Sequence, residues 1–462
     1  MLTISADRRS NRREFLRVGG LSLGGLSLAG LLGARARAAQ LGAPVNDKSV
    51  IFLFMHGGPT QTETFDPKMT APSGVCSVTG EIETRLPGVT FGSTLTKLAD
   101  QADRVAIVRS FQTGNGNHDI KPVVGRASAG ANLGALYTRV AGTNHPRSGM
   151  PSNVVLFPRA VDDSTQAAKM NFGRFDATGP LGAAYAPFVP GSGSLQQDMT
   201  LRLPRGRLDD RRSLLSQLDR IKRSVDSAGS VEGADEYQRQ AFATIVGGVA
   251  DAFDLSHENP RTIEQYDTAP LLRPDQISRK WNNYNNYVDN AKSLGRLLLL
   301  ARRLCEAGCG FVTVTTSFVW DMHADVNNAT IQEGMEYMGR PFDHAVSAFL
   351  ADVAARGLDE KILLVCTGEM GRTPKVNNRG GRDHWGRIAP LLLAGGGLNM
   401  GQVIGNSTRD VGEPASEPMT NQRLISTVMH TLLDVGRVRT MTGVPSDVAR
   451  AITDSTPIPG LL

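Results

Sequence analysis

Short apolar runs recur along this 462-residue chain and predict the strands of a buried sheet. Each run is five to seven residues long and is rich in Val, Ile, Leu or Phe. Continuous apolar runs of this kind are typical of strands that other elements cover on both faces. The six predicted strands are residues 49–55, 104–109, 153–157, 310–316, 361–367 and 390–394.

Apolar residues at helical spacing lie between these predicted strands. They form three stripes: Leu214, Leu218, Ile221 and Val225; Ala291, Leu294, Leu298, Ala301 and Cys305; and Phe342, Ala345, Phe349 and Val353. The second and third stripes each lead directly into a strand. This alternation of helices and strands predicts an α/β fold in which helices sandwich a mostly parallel sheet.

Residues 158–285 depart from that pattern. They contain long polar stretches of helical character, at about 207–228 and 235–254, together with loops rich in Gly and Pro. We predict that this segment is a helical and loop insertion that caps one edge of the sheet. Because the chain is longer than most single domains, the sequence favours one large α/β domain, residues 40–462, that carries this insertion.

The first 39 residues have the features of a twin-arginine export signal. Residues 11–16 (NRREFL) match the twin-arginine signature, a Gly/Ser/Leu-rich apolar stretch follows at 18–32, and small-residue cleavage sites lie at 34–38. A membrane anchor is the alternative, but the apolar stretch is short and interrupted by Gly24 and Gly25. We therefore expect the twin-arginine translocase as a partner during export. The mature protein is predicted to be periplasmic or secreted, with no stable membrane span.

The formal net charge of +5 does not indicate a nucleic-acid partner. Residues 1–38 contain seven arginines and two acidic residues, so this segment carries the whole excess and the remainder is formally neutral. A nucleic-acid-binding surface would need basic residues in the mature domain. We expect no nucleic-acid partner.

Histidines and acidic residues follow four of the predicted strands. In open α/β sheets, ligands bind outside the carboxyl ends of the strands. Four of the eight histidines lie in these segments, and each is near an Asp, Glu, Asn or Thr: His56, His118, His323 and His384. We expect the fold to bring these loops together at one edge of the sheet.

Imidazoles and carboxylates in one place suit a divalent cation such as zinc or manganese. Such a cation polarises a phosphoryl, sulfuryl or acyl oxygen and can activate water or a hydroxyl group. Arg372 and His118 are further catalytic candidates, and the Arg372 guanidinium is suited to an anionic substrate. The predicted metal ligands are His56, Asp321, His323, Glu369, Asp383 and His384.

Structural roles for the same residues remain open. His56 could cap a turn, and Asp383 and His384 could form a hydrogen-bonded pair. Glu369 could form a salt bridge to Arg372 three residues further on. Asp321 and His323 are one residue apart, so an extended backbone would place both on one face as a ligand pair.

Two other motifs are better explained by structure than by chemistry. Cys305 and Cys309 lie at a helix end without a CxxC spacing or an adjacent His, which favours two packed thiols over a metal pair. The glycines at 395–397 follow a strand but lack the GxGxxG spacing, which favours a tight turn over a phosphate-binding loop.

Five motifs together resemble a widespread bacterial family of unknown function. In chain order they are residues 56–68 (HGGPTQTETFDPK), 181–185 (LGAAY), 320–323 (WDMH), 368–374 (GEMGRTP) and 381–385 (GRDHW). That family is exported by the twin-arginine route and is placed by similarity in the alkaline phosphatase–sulfatase superfamily. The resemblance runs from about residue 47 to the C-terminus.

The resemblance implies an alkaline-phosphatase-like core with one or two metal ions at the strand ends. By position, Glu369 is similar to the superfamily's late aspartate ligand and His384 to its last histidine ligand. Asp321 and His323 are similar to its middle Asp/His pair, although that pair is usually separated by three residues. The chain also departs from the superfamily at His56, where an Asp usually ends the first strand, and at Met370, where a His or Asn often stands.

The sequence leaves the nucleophile unassigned. The sulfatase motif in which Cys or Ser is followed by x-Pro-x-Arg does not occur in the chain. Thr60, Thr62 and Ser110 are candidates by position only. Sulfatase chemistry is therefore not supported by a nucleophile motif.

Two functions fit these observations. The first is an exported metal-dependent hydrolase of phosphate or sulfate esters, acting on a small-molecule or glycan substrate. The second is a non-catalytic exported protein that retains the fold and binds an envelope glycan or a protein partner. The clustered histidines and carboxylates favour the hydrolase, whereas the missing nucleophile motif favours the binding protein.

Overall fold

The predicted strands form the centre of the structure. The computed structural model describes residues 43–170, 172–191 and 249–462, and the chain from Val45 to Leu462 belongs to one compact unit. The predicted signal peptide, the stripe from Leu214 to Val225 and the part of the predicted cap at 192–248 lie outside the described residues. Those expectations therefore stay predictions.

All six apolar runs form strands of a seven-stranded sheet, and residues 402–404 add a seventh. The strands are β1 (Ser49–Phe54), β4 (Ala106–Val108), β6 (Asn153–Leu156), β7 (Phe311–Thr315), β8 (Ile362–Thr367), β11 (Leu391–Gly395) and β12 (Gln402–Ile404). Their order in the sheet is β12-β4-β11-β8-β1-β7-β6. Only β11 runs against the others, pairing antiparallel with β8 and β4, so the mostly parallel sheet is confirmed.

The sheet is buried on both faces because its apolar runs are continuous. In β1, Ile51 and Leu53 belong to one hydrophobic cluster, whereas Val50, Phe52 and Phe54 belong to a second. Successive side chains of a strand point to opposite faces, so these two clusters are the two helix-covered sides of the sheet. The predicted sandwich of helices around the sheet is confirmed.

Ten α-helices are described. They are α1 (Thr96–Ala99), α2 (Leu133–Ala141), α3 (Ala250–Phe253), α4 (Pro260–Tyr266), α5 (Tyr284–Glu306), α6 (Ile331–Gly334), α7 (Arg340–Ala355), α8 (Asn421–Leu432), α9 (Val435–Val438) and α10 (Ser446–Thr453). A π-helical segment, Met335–Gly339, joins α6 to α7. The stripes predicted around Leu298 and Phe349 are the buried faces of α5 and α7.

Three two-stranded ribbons arrange the loops around the central sheet. They pair β2 (Glu81–Glu83) with β3 (Thr90–Gly92), β5 (Phe111–Gln112) with β13 (Met419–Thr420), and β9 (Gly371–Arg372) with β10 (His384–Trp385). In the last ribbon, His384 lies opposite Arg372. This register brings two of the predicted site residues together.

The pair Cys305 and Cys309 and the glycines at 395–397 have the structural roles that the sequence predicts. Cys305 and Cys309 are buried free thiols, and burial raises the pKa of Cys309 to about 12. Gly395, Gly396 and Gly397 all have positive φ, and the turn is held by a hydrogen bond of 2.6 Å from Lys48 Nζ to the Gly396 carbonyl. Consecutive left-handed residues explain why only glycine is suited to this turn.

Among the described residues, no helix is both long and apolar enough to cross a membrane.

Arg302 of α5 is fully buried and connects three helical segments through carboxylates. Its guanidinium lies 2.6 Å from Glu258 Oε2, 2.9 Å from Asp352 Oδ2 and 2.5 Å from Glu306 Oε2. Burial opposes the charge of Glu258, but the Asn259 backbone N–H and Arg302 outweigh it and lower its pKa to about 2. The cluster therefore fixes α5 against α7 and the segment before α4.

Replacing Arg302 by methionine should destabilise the protein by as much as about 3–5 kcal/mol, because Glu258 and Asp352 would lose their fully buried cation and keep only the more exposed Arg356 and Arg303. Urea denaturation followed by circular dichroism measures this loss. The matched control is Arg340→Met, which breaks an exposed pair with Glu336 and should cost less than about 0.5 kcal/mol. Equal losses in the two variants would contradict a structural role for the buried cluster.

Candidate metal centre at the strand ends

Asp321 is the centre of the site and lies in the loop after β7. Its carboxylate is buried and faces three imidazoles from different parts of the chain. Oδ2 lies 3.4 Å from His118 Nε2 and 3.0 Å from His323 Nε2, whereas Oδ1 lies 3.2 Å from His384 Nε2. The fold therefore unites Asp321, His118, His323 and His384 at one edge of the sheet.

Glu369 follows β8 and contacts the His118 ring nitrogen that does not face Asp321. Its Oε1 lies 2.9 Å from His118 Nδ1, and both carboxylate oxygens accept the Gly57 backbone N–H, at 2.9 and 3.2 Å. A carboxylate bonded to one ring nitrogen fixes the orientation and tautomer of an imidazole whose other nitrogen binds a metal. Glu369 is therefore placed to orient His118.

Arg372 holds Asp321 in place. The guanidinium is fully buried, and its Nη2 lies 2.5 Å from Asp321 Oδ1. It also donates to the carbonyls of Gly57, Gly58, Trp320 and Arg382. The salt bridge between Glu369 and Arg372 that the sequence also allowed is not among these contacts. With its donors engaged internally, Arg372 is positioned for Asp321 and not for a substrate.

Two glycines after β1 let these groups approach one another. Gly57 has φ +115°, and a Cβ atom there would lie 2.5 Å from the Asp321 backbone nitrogen. Gly58 has φ +90°, and a Cβ atom there would lie 2.7 Å from the Met370 side chain. Any larger residue would separate the loop after β1 from the loops that carry Asp321 and Arg372.

The loop that carries His384 is anchored by a buried ion pair that the sequence analysis did not identify. Arg382 and Glu63 are both fully buried, with Nη2 and Oε1 3.0 Å apart. Gln61 holds the other strand of the ribbon, donating to the Arg372 carbonyl at 2.7 Å and accepting its N–H at 2.9 Å. The polar run after β1, which carries Gln61 and Glu63, could have indicated these contacts. Its partners, however, lie more than 300 residues away in sequence.

His56 is buried beside the site among aromatic rings. Its ring centroid lies 4.9 Å from that of Phe318 and 5.8 Å from that of Phe175. Burial lowers its pKa to about 4, so the imidazole is neutral at neutral pH. Its Nε2 is buried without a hydrogen-bond partner. His56 therefore offers an uncommitted nitrogen next to the cluster.

The remaining candidates do not join the cluster. The Asp383 side chain is exposed and accepts a hydrogen bond of 3.1 Å from Asn377. The hydroxyls of Thr60, Thr62 and Ser110 are buried without a hydrogen-bond partner. None of these four side chains forms a hydrogen bond with Asp321 or with the three histidines around it.

The charges of the cluster favour an ionised carboxylate beside His118. Burial works against the Asp321 carboxylate, but Arg372 and the imidazoles of His118, His323 and His384 hold its pKa well below the usual range. Burial also opposes a charge on His118, yet its hydrogen bonds to Asp321 and Glu369 raise the pKa of the ring. The acids therefore stabilise positive charge at this position.

His118, Asp321 and His384 form a group that could hold a metal ion. One ligand atom from each lies within 4.8 Å of the others. Neighbouring ligands of a tetrahedral zinc ion are about 3.3 Å apart, given metal–ligand bonds of about 2.0 Å. Each imidazole lies near that distance from a different oxygen of Asp321, His118 Nε2 at 3.4 Å from Oδ2 and His384 Nε2 at 3.2 Å from Oδ1. The donor set of two imidazoles and one carboxylate fits zinc or manganese.

Fold and site together define an α/β protein with a three-residue candidate metal centre at the carboxyl ends of its strands. The chain belongs to the DUF1501 family, a protein family of unknown function, which matches residues 47–455. No curated protein matches the chain in sequence.

Several solved structures are similar in outline to this chain. A sulfatase from Pseudoalteromonas sp. covers 86% of the chain and 69% of its own length, with 10% identity and a TM-score of 0.34. A phosphonate monoester hydrolase from Silicibacter pomeroyi covers 83% and 73%, with 10% identity and a TM-score of 0.34. A mutant TAB5 alkaline phosphatase with bound Mg covers 84% and 98%, with 10% identity and a TM-score of 0.27. At these low scores, the chemistry of this site rests on its own side chains.

The Glu369→Gln variant should bind zinc about 10–100-fold more weakly than the unmodified protein, because His118 would lose the carboxylate that orients it. Isothermal titration calorimetry with zinc measures the change. Glu81→Gln, at an exposed position on β2, is the control and should leave the affinity unchanged. Equal affinity in all three proteins would show that Glu369 does not support a metal site.

Proposed function

We propose that this protein is an exported metal-dependent hydrolase of phosphate or sulfate esters. The observation that carries the proposal is the convergence of three imidazoles on the buried carboxylate of Asp321 at the strand ends. Open α/β sheets bind their ligands at this edge. Two of these imidazoles, those of His323 and His384, are partly exposed, so a substrate can reach them.

His118, Asp321 and His384 would hold a divalent cation. When bound, such a cation supplies a Lewis acid for the ester oxygen and positive charge for an anionic transition state. Arg372 fixes the Asp321 carboxylate, and Glu369 fixes the tautomer of His118. His323 lies within hydrogen-bond distance of Asp321 and is partly exposed, so it is placed to contact a substrate.

Asp321→Asn and His384→Ala should each lower hydrolysis by at least about 100-fold, because each removes a proposed cation ligand. The protein is loaded with zinc or manganese, its metal content is determined by mass spectrometry, and turnover of 4-nitrophenyl phosphate, 4-nitrophenyl sulfate and a phosphonate monoester is followed. The control is His257→Ala, an exposed histidine whose carboxylate partner Asp254 lies 3.9 Å away. Absence of both bound metal and turnover in the unmodified protein would refute the hydrolase.

A non-catalytic binding protein is the second candidate, favoured by one observation. The hydroxyls of Thr60 and Thr62, the expected nucleophile candidates, are buried in the loop after β1. A protein that uses this edge only to bind an envelope glycan or a protein would turn over none of the esters, and His384→Ala would weaken glycan binding instead. Hydrolysis by the unmodified protein that is lost in His384→Ala excludes this candidate.

Export by the twin-arginine route into the periplasm or beyond is part of the proposal and rests on the sequence of residues 11–38. Replacing Arg12 and Arg13 together by lysine should leave an uncleaved precursor in the cytosol of a bacterial host, because the translocase recognises the arginine pair. Cell fractionation and immunoblotting measure the distribution. The control is the same double replacement of Arg8 and Arg9, and equal export of both variants would contradict the twin-arginine route.

A further inference from the structure

Two stacked phenyl rings form one wall of the site. The rings of Phe172 and Phe318 are stacked at an interplanar angle of 20° with centroids 4.3 Å apart. Phe318 lies 4.4 Å from the His118 ring, and Phe172 lies 5.4 Å from it. The outer ring, Phe172, is 42% exposed, whereas Phe318 is buried behind it. We call this pair the phenyl wall.

The position of Phe318 is maintained against a conformational cost. Its φ is +55°, a left-handed value that a bulky side chain rarely adopts. Backbone strain of this kind costs about 1–3 kcal/mol. It is found where the surrounding contacts hold a residue in the strained conformation, often at binding sites. The strained backbone directs the Phe318 ring between His56, His118 and Phe172. A single exposed phenylalanine is ordinary, but one supported by a strained, buried ring beside a polar cluster is not.

The guanidinium groups of Arg372 and Arg382 are already engaged inside the protein, so neither is free to bind an anionic ester. The donors of Arg372 are engaged by Asp321 and by four backbone carbonyls. Arg382 is fully buried and engaged by Glu63 and by carbonyls of the neighbouring loops. A bound cation would attract the ester anion, and contacts with a part of the substrate that does not react would add binding energy that can support the chemistry.

We infer that the phenyl wall stacks against a ring of the substrate next to the reacting group. The inference rests on the proposed hydrolase and specifies its substrates as ring-bearing esters, with an aryl ring or the apolar face of a pyranose lying on Phe172. Stacking on an aromatic face contributes affinity beyond the area that it buries. Short alkyl esters reach the cation-binding residues but not the wall, so they are poorer substrates.

The test compares three esters in the metal-loaded protein and in variants of Phe172. With a phenyl or a monosaccharide phosphate ester, Phe172→Ala should raise KM about 5- to 20-fold, whereas KM for methyl phosphate should change less than about 2-fold. Phe172→Tyr retains the aromatic face and should restore the KM of the unmodified protein. Phe172→Leu retains apolar volume without the face and should lie between the two. The ester whose KM responds identifies the ring as aryl or pyranose.

A binding measurement separates this inference from the proposed function. The zinc-loaded protein should bind phenylphosphonate more tightly than methylphosphonate, and Phe172→Ala should remove that preference, as measured by calorimetry. If no ester is turned over but the preference is seen and lost in Phe172→Ala, the hydrolase fails and the ring site stands. If esters are turned over without any dependence on Phe172, the inference fails and the hydrolase stands. Absence of binding of both phosphonates overturns the inference as well.

Discussion

The buried charge of Asp321 is the constraint on which the site depends. A carboxylate removed from water costs several kcal/mol unless a partner of opposite charge and enough hydrogen bonds compensate it. Arg372 provides that compensation, and the guanidinium is itself held by the carbonyls of Gly57 and Gly58. The register of β9 and β10 places Arg372 opposite His384. A shift of one residue in that register would move both the Arg372 guanidinium and the His384 imidazole away from Asp321.

The motif that follows β1 is a scaffold for the site. Gly57 bonds to Glu369, Gln61 to the backbone of Arg372, and Glu63 to the side chain of Arg382. These contacts span more than 300 residues of sequence, so the loops are brought together by the strand order of the sheet. The separate motifs along the chain are therefore parts of one hydrogen-bonded assembly. Their polar residues position the loops of the site.

Much of the fold could be predicted from the sequence because buried parallel strands are continuous apolar runs. The six predicted strands agree with the structure to within about two residues, but Gln402–Ile404 was missed because the segment is short and half-buried. The antiparallel direction of β11 has no counterpart in a hydrophobic pattern. The histidine cluster was anticipated from strand ends alone. Its pairing was not: a salt bridge between Glu369 and Arg372 was one alternative, but Arg372 pairs with Asp321 and Glu369 with His118.

Charge balance joins the candidate metal centre to the phenyl wall. Asp321 with Arg372, and Glu63 with Arg382, are closed pairs in which each guanidinium is neutralised inside the protein. Neither guanidinium is therefore free for an incoming anion, and the Glu369 carboxylate beside the imidazoles is itself buried. A divalent cation on His118, Asp321 and His384 would add positive charge at this edge and attract an ester anion. This electrostatic attraction acts on any ester anion and does not depend on the shape of the ester. The rings of Phe172 and Phe318, which lie beside the cluster, can distinguish one ester from another.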